Sequence, residues 1–290
     1  MSSFEKALES RVLVCDGAMG TMLYAQGAFV NRSFDELNIT RPELVAGVHR
    51  AYVDAGVDVI ETNTFGANRV KLESFGLADQ LPELNAAGVA LARQAAGSDV
   101  FVAGALGPLG LPVEPQGQTT LVDAGRYFRE QAEALMSSGV DLFVLETFRS
   151  VDELVAAVSA VRAVSPLPIV AELTITDTGE APDGVPPEAF GPRLVDVGAT
   201  VVGVNCGAGA AGMLEAVERL RSVTTAPLAA QPNAGLPRQV EGRSMYMSSP
   251  EFLASYARRF ASLGVRLVGG CCGTTPEHVR QIASALPQPV

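Results

Sequence analysis

Ser137-Ser138-Gly139-Val140-Asp141-Leu142-Phe143-Val144-Leu145-Glu146 is a helix end, a glycine stop and a buried strand that finishes on an acid. Glycine at the stop takes the left-handed conformation in which many helices terminate and which other residues avoid. The run Val140–Glu146 is apolar at nearly every position, as a strand covered on both faces of a parallel sheet requires. The same device returns at Asp54-Ala55-Gly56-Val57-Asp58, at Asp196-Val197-Gly198-Ala199-Thr200 and at Ser262-Leu263-Gly264-Val265-Arg266.

Working outward from these stops, eight short apolar runs appear: 11–15, 57–63, 100–106, 140–146, 168–173, 200–206, 227–231 and 265–271. Between them lie helical patterns such as 42–55, 124–138, 151–164, 212–223 and 250–263. Eight βα units favour a (β/α)8 TIM barrel, one domain over residues 1–290, rather than an open doubly wound sheet. No Gly-x-Gly-x-x-Gly follows the first run and no phosphate loop is present. Segments 109–120, 176–192 and 232–249 are expected to be long loops on the face where barrel active sites are assembled.

The bulk numbers exclude several classes of function. A formal charge of -11, with Lys6 and Lys71 the only lysines, argues against nucleic acid as partner. No apolar stretch approaches the roughly 20 residues that span a bilayer, so no membrane partner is expected. The first residues lack the apolar core of a secretory signal, and four cysteines in 290 residues are too few for a disulfide scaffold. A cytoplasmic location, with thiols available as ligands, is the expectation.

Polar residues that interrupt the apolar runs gather at their C-terminal ends: Asp16, Glu61, Thr62, Asn63, Glu146, Glu172, Asn205, Cys206, Asn233, Cys271 and Cys272. In a barrel these converge on one mouth. Cys206, Cys271 and Cys272 can supply three thiolates to one metal and leave a fourth position open, the pattern of a catalytic zinc site. Neighbouring strand residues point to opposite faces, so Cys271 and Cys272 can share an ion only where the pleat breaks, and Gly269, Gly270 and Gly273 permit that. A buried cysteine pair and a vicinal disulfide are the competing readings. Cys15 is expected in the core, and His49 and His278, both on helices, are expected to be structural. Soft thiolates suit Zn²⁺, and a fourth thiolate from a substrate stays nucleophilic there. Its simplest reaction is attack on a methyl carbon.

Asp-Gly-Ala-Met-Gly-Thr at 16–21, Glu-Thr-Asn-Thr-Phe-Gly-Ala-Asn at 61–68, Val-Asn-Cys-Gly at 204–207, Pro-Asn-Ala-Gly-Leu-Pro at 232–237 and Gly-Gly-Cys-Cys-Gly-Thr-Thr-Pro at 269–276 span nearly the whole chain. They resemble the zinc-dependent homocysteine S-methyltransferases. The resemblance implies a TIM barrel, Zn²⁺ on Cys206, Cys271 and Cys272, and L-homocysteine as the thiol that a methyl donor converts to L-methionine. It implies further that Asp16 and Glu146 face the ammonium of homocysteine, that the amides of Gly17 and Ala18 face its carboxylate, and that Thr62 and Asn63 stand behind. Glu172 is divided between support of a loop and contact with the donor.

Within the family the chain is most similar to the homocysteine-binding module of cobalamin-dependent methionine synthases and of bacterial proteins that join it to a methylenetetrahydrofolate reductase module. A reductase, folate or cobalamin module, in cis or in trans, is therefore an expected partner. The betaine-using branch is less similar, because Gly66 stands where that branch carries an aromatic residue. A sulfonium such as S-methylmethionine or S-adenosylmethionine departs as a neutral thioether and needs no general acid, which favours it as donor over methylfolate. The alternative function is a non-catalytic module that binds zinc or homocysteine for a partner domain. A metal-free lyase is disfavoured, since neither lysine falls at a strand end where a Schiff base would form.

Overall fold

A computed structural model describes residues 3–28, 32–240 and 243–287. Eight parallel strands carry the architecture: β1 Leu13–Val14, β2 Val59–Glu61, β3 Phe101–Leu106, β4 Leu142–Phe148, β5 Ile169–Leu173, β6 Val201–Gly209, β7 Leu228–Asn233 and, after a hairpin of β8 Arg238–Val240 and β9 Arg243–Met245, β10 Val265–Val268. Their order is β1-β10-β7-β6-β5-β4-β3-β2. A parallel bridge between Cys15 and Val59 joins the two ends. Asp58 N–H donates to the Val14 carbonyl at 2.8 Å and Asp16 N–H to that of Val59 at 3.1 Å across the same seam. The expected (β/α)8 barrel is the fold, and no described helix is long and apolar enough to cross a membrane.

The glycine stops do what the repeat demands. Gly56, Gly139, Gly198 and Gly264 have φ of 93°, 91°, 102° and 84°. Each donates its N–H to the carbonyl three residues back, at 2.9–3.1 Å. The residue two places later then pins the neighbouring strand. Asp58 Oδ2 accepts from Val14 N–H at 2.8 Å, Asp141 Oδ2 from Val102 N–H at 2.8 Å, and Thr200 Oγ1 from Ile169 N–H at 3.1 Å. Arg11 and Arg93 pair with the two aspartates on the outside.

Inside the barrel the lower part is apolar and sealed. Leu13, Val59, Ala103, Leu142, Val144, Val170, Val201, Ala229 and Leu267 point inward and pack with Phe4 and Leu8 of α1, Ser3–Ser10. Phe4 is 1% exposed and meets Phe101 edge-on at 5.6 Å. Burying two such side chains contributes on the order of 1.5–3 kcal/mol each, and plugs the end away from the site. The larger core lies between the strands and the outer helices, which include α4 Pro42–Val53, α6 Leu81–Ala96, α7 Leu121–Ser137, α8 Val151–Val164, α10 Ala210–Val223 and α11 Pro250–Ser262.

Three expectations are corrected. The last barrel strand stops at Val268, so Cys271 and Cys272 lie on a turn and the pleat places no constraint on them. The segment 176–192 is not all loop: α9, Pro187–Asp196, begins inside it with Pro187 at its first position, where the missing N–H costs nothing. The segment 232–249 contains the end of β7 and the hairpin β8–β9.

Candidate metal centre and substrate cavity

Cys206 and the turn after β10 bring together a group that could hold a metal ion. The sulfurs of Cys206, Cys271 and Cys272 all lie within 4.8 Å of one another, and all three thiols are free and half-buried. A vicinal disulfide is therefore not the state of this pair. Cys206 sits at a break in the β6–β7 register with a left-handed φ of 58°, followed by Gly207 at 59°. A residue with a side chain held there stores on the order of 1–3 kcal/mol, a cost that functional sites commonly carry. Hydrogen bonds from Cys271 and then Cys272 hold the Cys206 thiol far below its ordinary range, while Cys271 is raised by the same sharing. The three sulfurs thus compete for protons at close range, and their donor chemistry suits a soft cation.

Glycines around the turn serve close approach more than flexibility. A Cβ on Gly269 would come within 2.6 Å of Gln231 Oε1 and 2.8 Å of Cys15 Cβ. Only Gly273 of the three is left-handed, at φ 79°, and the ring of Tyr246 packs on its open face. From there Tyr246 approaches Cys272, whose thiol is raised chiefly by Cys206 and lowered by Tyr246. The hairpin thus delivers to the site a group that no local sequence pattern marks.

Beside the thiols is a polar layer of three acids and an amide, Glu61 and Glu146 half-buried, Glu172 and Gln231 buried. Each is the next inward position, two residues on, from the apolar floor: Glu61 above Val59, Glu146 above Val144, Glu172 above Val170, and Gln231 above Ala229. Gln231 Nε2 donates to Glu61 Oε1 at 3.1 Å and to Glu172 Oε2 at 2.8 Å. Asp16 Oδ2 accepts from Glu61 N–H at 3.0 Å. Burial raises Asp16, Glu61 and Glu146, and the Glu61 charge adds to the rise of Asp16 and Glu146. Glu172 is 0% exposed and its Oε1 has no partner among the described residues. Burial, then Glu61, pushes it up to about 8 against the donation from Gln231. Asp16, Glu61 and Glu146 line the opening with Glu172 buried beneath them, a set that attracts a cation.

Asn205 organises the rim. It accepts from Thr147 N–H at 2.8 Å and donates to Thr147 Oγ1 at 2.8 Å and to Glu146 Oε2 at 3.3 Å. Thr147 is left-handed, φ 62°, an outlier for a β-branched residue that the two bonds to Asn205 hold in place. The acid at 146 is aimed by this clamp.

The remaining candidates take different parts. Asp16, Gly17, Ala18, Thr62, Asn63, Glu146 and the three cysteines all line one cavity of about 1050 Å³. Thr62 Oγ1 accepts from Ala105 N–H at 3.0 Å, and Asn63 Nδ2 donates to the Phe34 carbonyl at 2.8 Å and to Asn38 Oδ1 at 2.9 Å. Both are wall-builders whose polar groups are largely spent within the protein. The Ala18 N–H donates to Thr274 Oγ1 at 3.0 Å, so it is already engaged. Any Cβ on Gly17 would meet the same oxygen at 2.4 Å.

Cys15 is fully buried as expected, yet its thiol donates to Glu61 Oε1 at 3.4 Å and so joins floor to mouth. His278 caps its own helix with Thr275 and meets the Ser248 carbonyl at 2.9 Å, His49 is buried with no hydrogen-bond partner among the described residues, and neither lines the cavity. At Gly66 a side chain would strike Asp35 Oδ2 at 2.6 Å, which accounts physically for the glycine there.

Fold and site together define a class: a barrel with a soft-metal thiol trio set beside a carboxylate-lined cavity. The homocysteine S-methyltransferase family profile matches residues 13–286, and the chain belongs to that family, a family of methyltransferase enzymes. The methionine synthase of Mycobacterium tuberculosis (strain ATCC 25618 / H37Rv) is 35% identical over 297 residues, covering 96% of this chain and 25% of that protein. That of Mycobacterium leprae (strain TN) is 33% identical over 299 residues, covering 97% and 25%. The chain thus spans about a quarter of the length of these curated relatives. Among solved structures, the metallated form of the homocysteine methyltransferase MmuM from Escherichia coli superimposes with a TM-score of 0.81 at 26% identity, over 94% of this chain and 96% of that one.

Proposed function

We propose that this chain is one domain over residues 1–290 that transfers a methyl group to the thiol of L-homocysteine, giving L-methionine. The observation that carries the reading is the trio of free thiols within 4.8 Å at the edge of a cavity lined by Asp16, Glu61 and Glu146. Cys206, Cys271 and Cys272 would hold Zn²⁺, whose chemistry is to keep a substrate thiol deprotonated at neutral pH. Asp16 and Glu146 take the ammonium of homocysteine, and the added positive charge offsets the repulsion that raises both acids. Gly17 leaves room for its carboxylate, and Ala18 contributes its amide when Thr274 releases it. Thr62 and Asn63 keep the wall in shape.

A sulfonium donor fits the same walls. Acids and the rings of Tyr24, Phe75 and Tyr246 line the cavity and attract a cation. The substrate sulfur attacks the methyl carbon, the bond from that carbon to the sulfonium sulfur breaks, and its electron pair leaves with a neutral thioether. No proton has to be delivered. A reducing cytoplasm is the compartment that keeps three such thiols free.

One observation favours a second reading. The mycobacterial relatives are about four times longer than the matched region, so the methyl group can arrive from a reductase, folate or cobalamin module while this chain binds homocysteine alone. The deciding experiment offers S-methylmethionine, S-adenosylmethionine and methyltetrahydrofolate in parallel to freshly reduced, zinc-loaded protein with homocysteine. Methionine from a sulfonium supports the proposal. Zinc bound at about one per chain with no methionine from any donor supports the module reading, and absence of bound metal overturns both.

A further inference from the structure

Lys71 is half-buried and lines the cavity, on the short helix α5, Arg69–Glu73, that follows β2. Its Nζ sits 4.1 Å from the centroid of the Phe65 ring. That ring is itself fixed, since a Cβ on Gly107 would fall 2.3 Å from its edge. The lysine stem passes Gly110, where a Cβ would lie 3.2 Å from Lys71 Cε. Packing therefore sets the direction in which this ammonium points.

Lys71 nevertheless forms no ion pair among the described residues. Asp35, Glu146 and Glu153 act on it only at a distance. Each has other work: Asp35 accepts from Ser33 Oγ and Gly66 N–H, both at 2.9 Å, Glu153 from Leu109 N–H at 2.8 Å, and Glu146 from Asn205. Burial without a partner lowers the Lys71 pKa. An unpaired ammonium kept in a cavity wall is costly unless an anion arrives.

In the barrel order β2 lies diametrically across from β6, so Lys71 faces the mouth from the side opposite Cys206. The cavity, about 1050 Å³, is at the upper end of the roughly 300–1,000 Å³ of drug-sized ligand sites. Homocysteine alone fills a minor part. Its carboxylate and ammonium share one carbon, so an ammonium on Asp16 and Glu146 keeps that carboxylate near the Gly17 turn. The far side is left for the second reactant.

We propose that Lys71 is a specificity-determining residue of the donor subsite: its ammonium, braced on Phe65 across the mouth from Cys206, takes a carboxylate of the methyl donor. This rests on the methyl-transfer reading above. The carboxylate belongs either to a sulfonium amino acid or to the glutamyl tail of a methylfolate, and both present the same group to the lysine.

The test is calorimetry without homocysteine, so that no transfer occurs, using S-methylmethionine, its carboxamide and methyltetrahydrofolate on the full chain and on Lys71→Met and Lys71→Arg. Wild type is expected to bind S-methylmethionine about tenfold or more tighter than the carboxamide, as one charged hydrogen bond provides. Lys71→Met brings that ratio near one, and Lys71→Arg retains most of it. A tenfold loss for methyltetrahydrofolate in Lys71→Met, with the two sulfonium probes equal in wild type, keeps the subsite and assigns the carboxylate to folate. Equal binding of every probe by wild type and Lys71→Met overturns the proposal, as does a loss in Lys71→Met that falls on homocysteine instead. Melting of each variant separates these outcomes from misfolding. Should the protein bind neither zinc nor homocysteine, the methyl-transfer reading fails while discrimination between the carboxylate and its amide still stands.

Discussion

The floor and the mouth of this barrel are made by the same strands, two residues apart, and they obey opposite rules. At Val59, Val144 and Val170 the inward side chains are apolar, fully buried and sealed by Phe4 and Leu8. At Glu61, Glu146 and Glu172 the inward side chains are acids crowded against one another. Because a strand alternates faces, one step of period two carries the chain from stabilising burial to stored electrostatic cost. A scaffold can afford the second only because the first is intact. Variants at the mouth should therefore damage binding and leave stability equal or improved, and variants at the floor should do the reverse.

The largest expected effect is at the mouth. Cys206→Ser should lose zinc from about one equivalent to near none, and reduce methionine formation by ~10³-fold or more, about 4 kcal/mol of barrier. Its melting temperature should stay within a few degrees of the metal-free parent, which differential scanning calorimetry on both proteins reads directly. Next is the floor. Leu142→Ala opens a cavity at a fully buried inward position and should cost about 2–5 kcal/mol in urea unfolding, with zinc content unchanged. Zinc loss in this variant together with the stability loss would erase the distinction between the two layers.

Much of this division was legible before any coordinates. The glycine stops at 56, 139, 198 and 264 identify strand starts, and the acids and cysteines that end the apolar runs mark one face. Less legible was what depends on contacts between distant segments. Nothing local in Tyr246 says that a hairpin folds it onto Gly273 and Cys272, and nothing in Gln231 says that it bridges Glu61 and Glu172. Nothing local in Ala18 says that its amide donates to Thr274, more than 250 residues later. Period-two counting from Val170 would have put Glu172 inside the barrel, but its missing partner at Oε1 is a property of the assembled layer.

Glu172 gives the middle-sized test. Its folded value of about 8 lies above the ordinary 4.5, so the folded chain keeps a proton that the unfolded chain releases. Stability linked to that proton is fully present below pH 4.5 and is lost as pH rises through 8. Glu61, Cys15 and Glu146 are the titrating groups that face it. Glu172→Gln cannot ionise. Its melting temperature should match wild type near pH 5 and exceed it near pH 9, by up to about 5 kcal/mol of stability. A gap that shrinks as pH rises would show that the mouth stores no such cost at this position.

Gly139 offers the smallest effect and the cleanest separation of layers. It starts β4 at the floor end, and a Cβ there would meet nothing within 4 Å. Gly139→Ala therefore probes backbone conformation alone, at φ 91°, and should cost about 1–2 kcal/mol. Gly198→Ala adds crowding, because the new Cβ would stand 3.1 Å from Arg162 Nε, whose guanidinium also donates to the Gly198 carbonyl at 2.8 Å. Unfolding in urea should therefore rank Gly198→Ala below Gly139→Ala, with both below wild type. Neither should change zinc content or the affinity for homocysteine, since both substitutions lie at the end of the barrel away from the cysteines. A change in either binding measurement would mean that strain at the floor is transmitted along the strand to the acid at its other end.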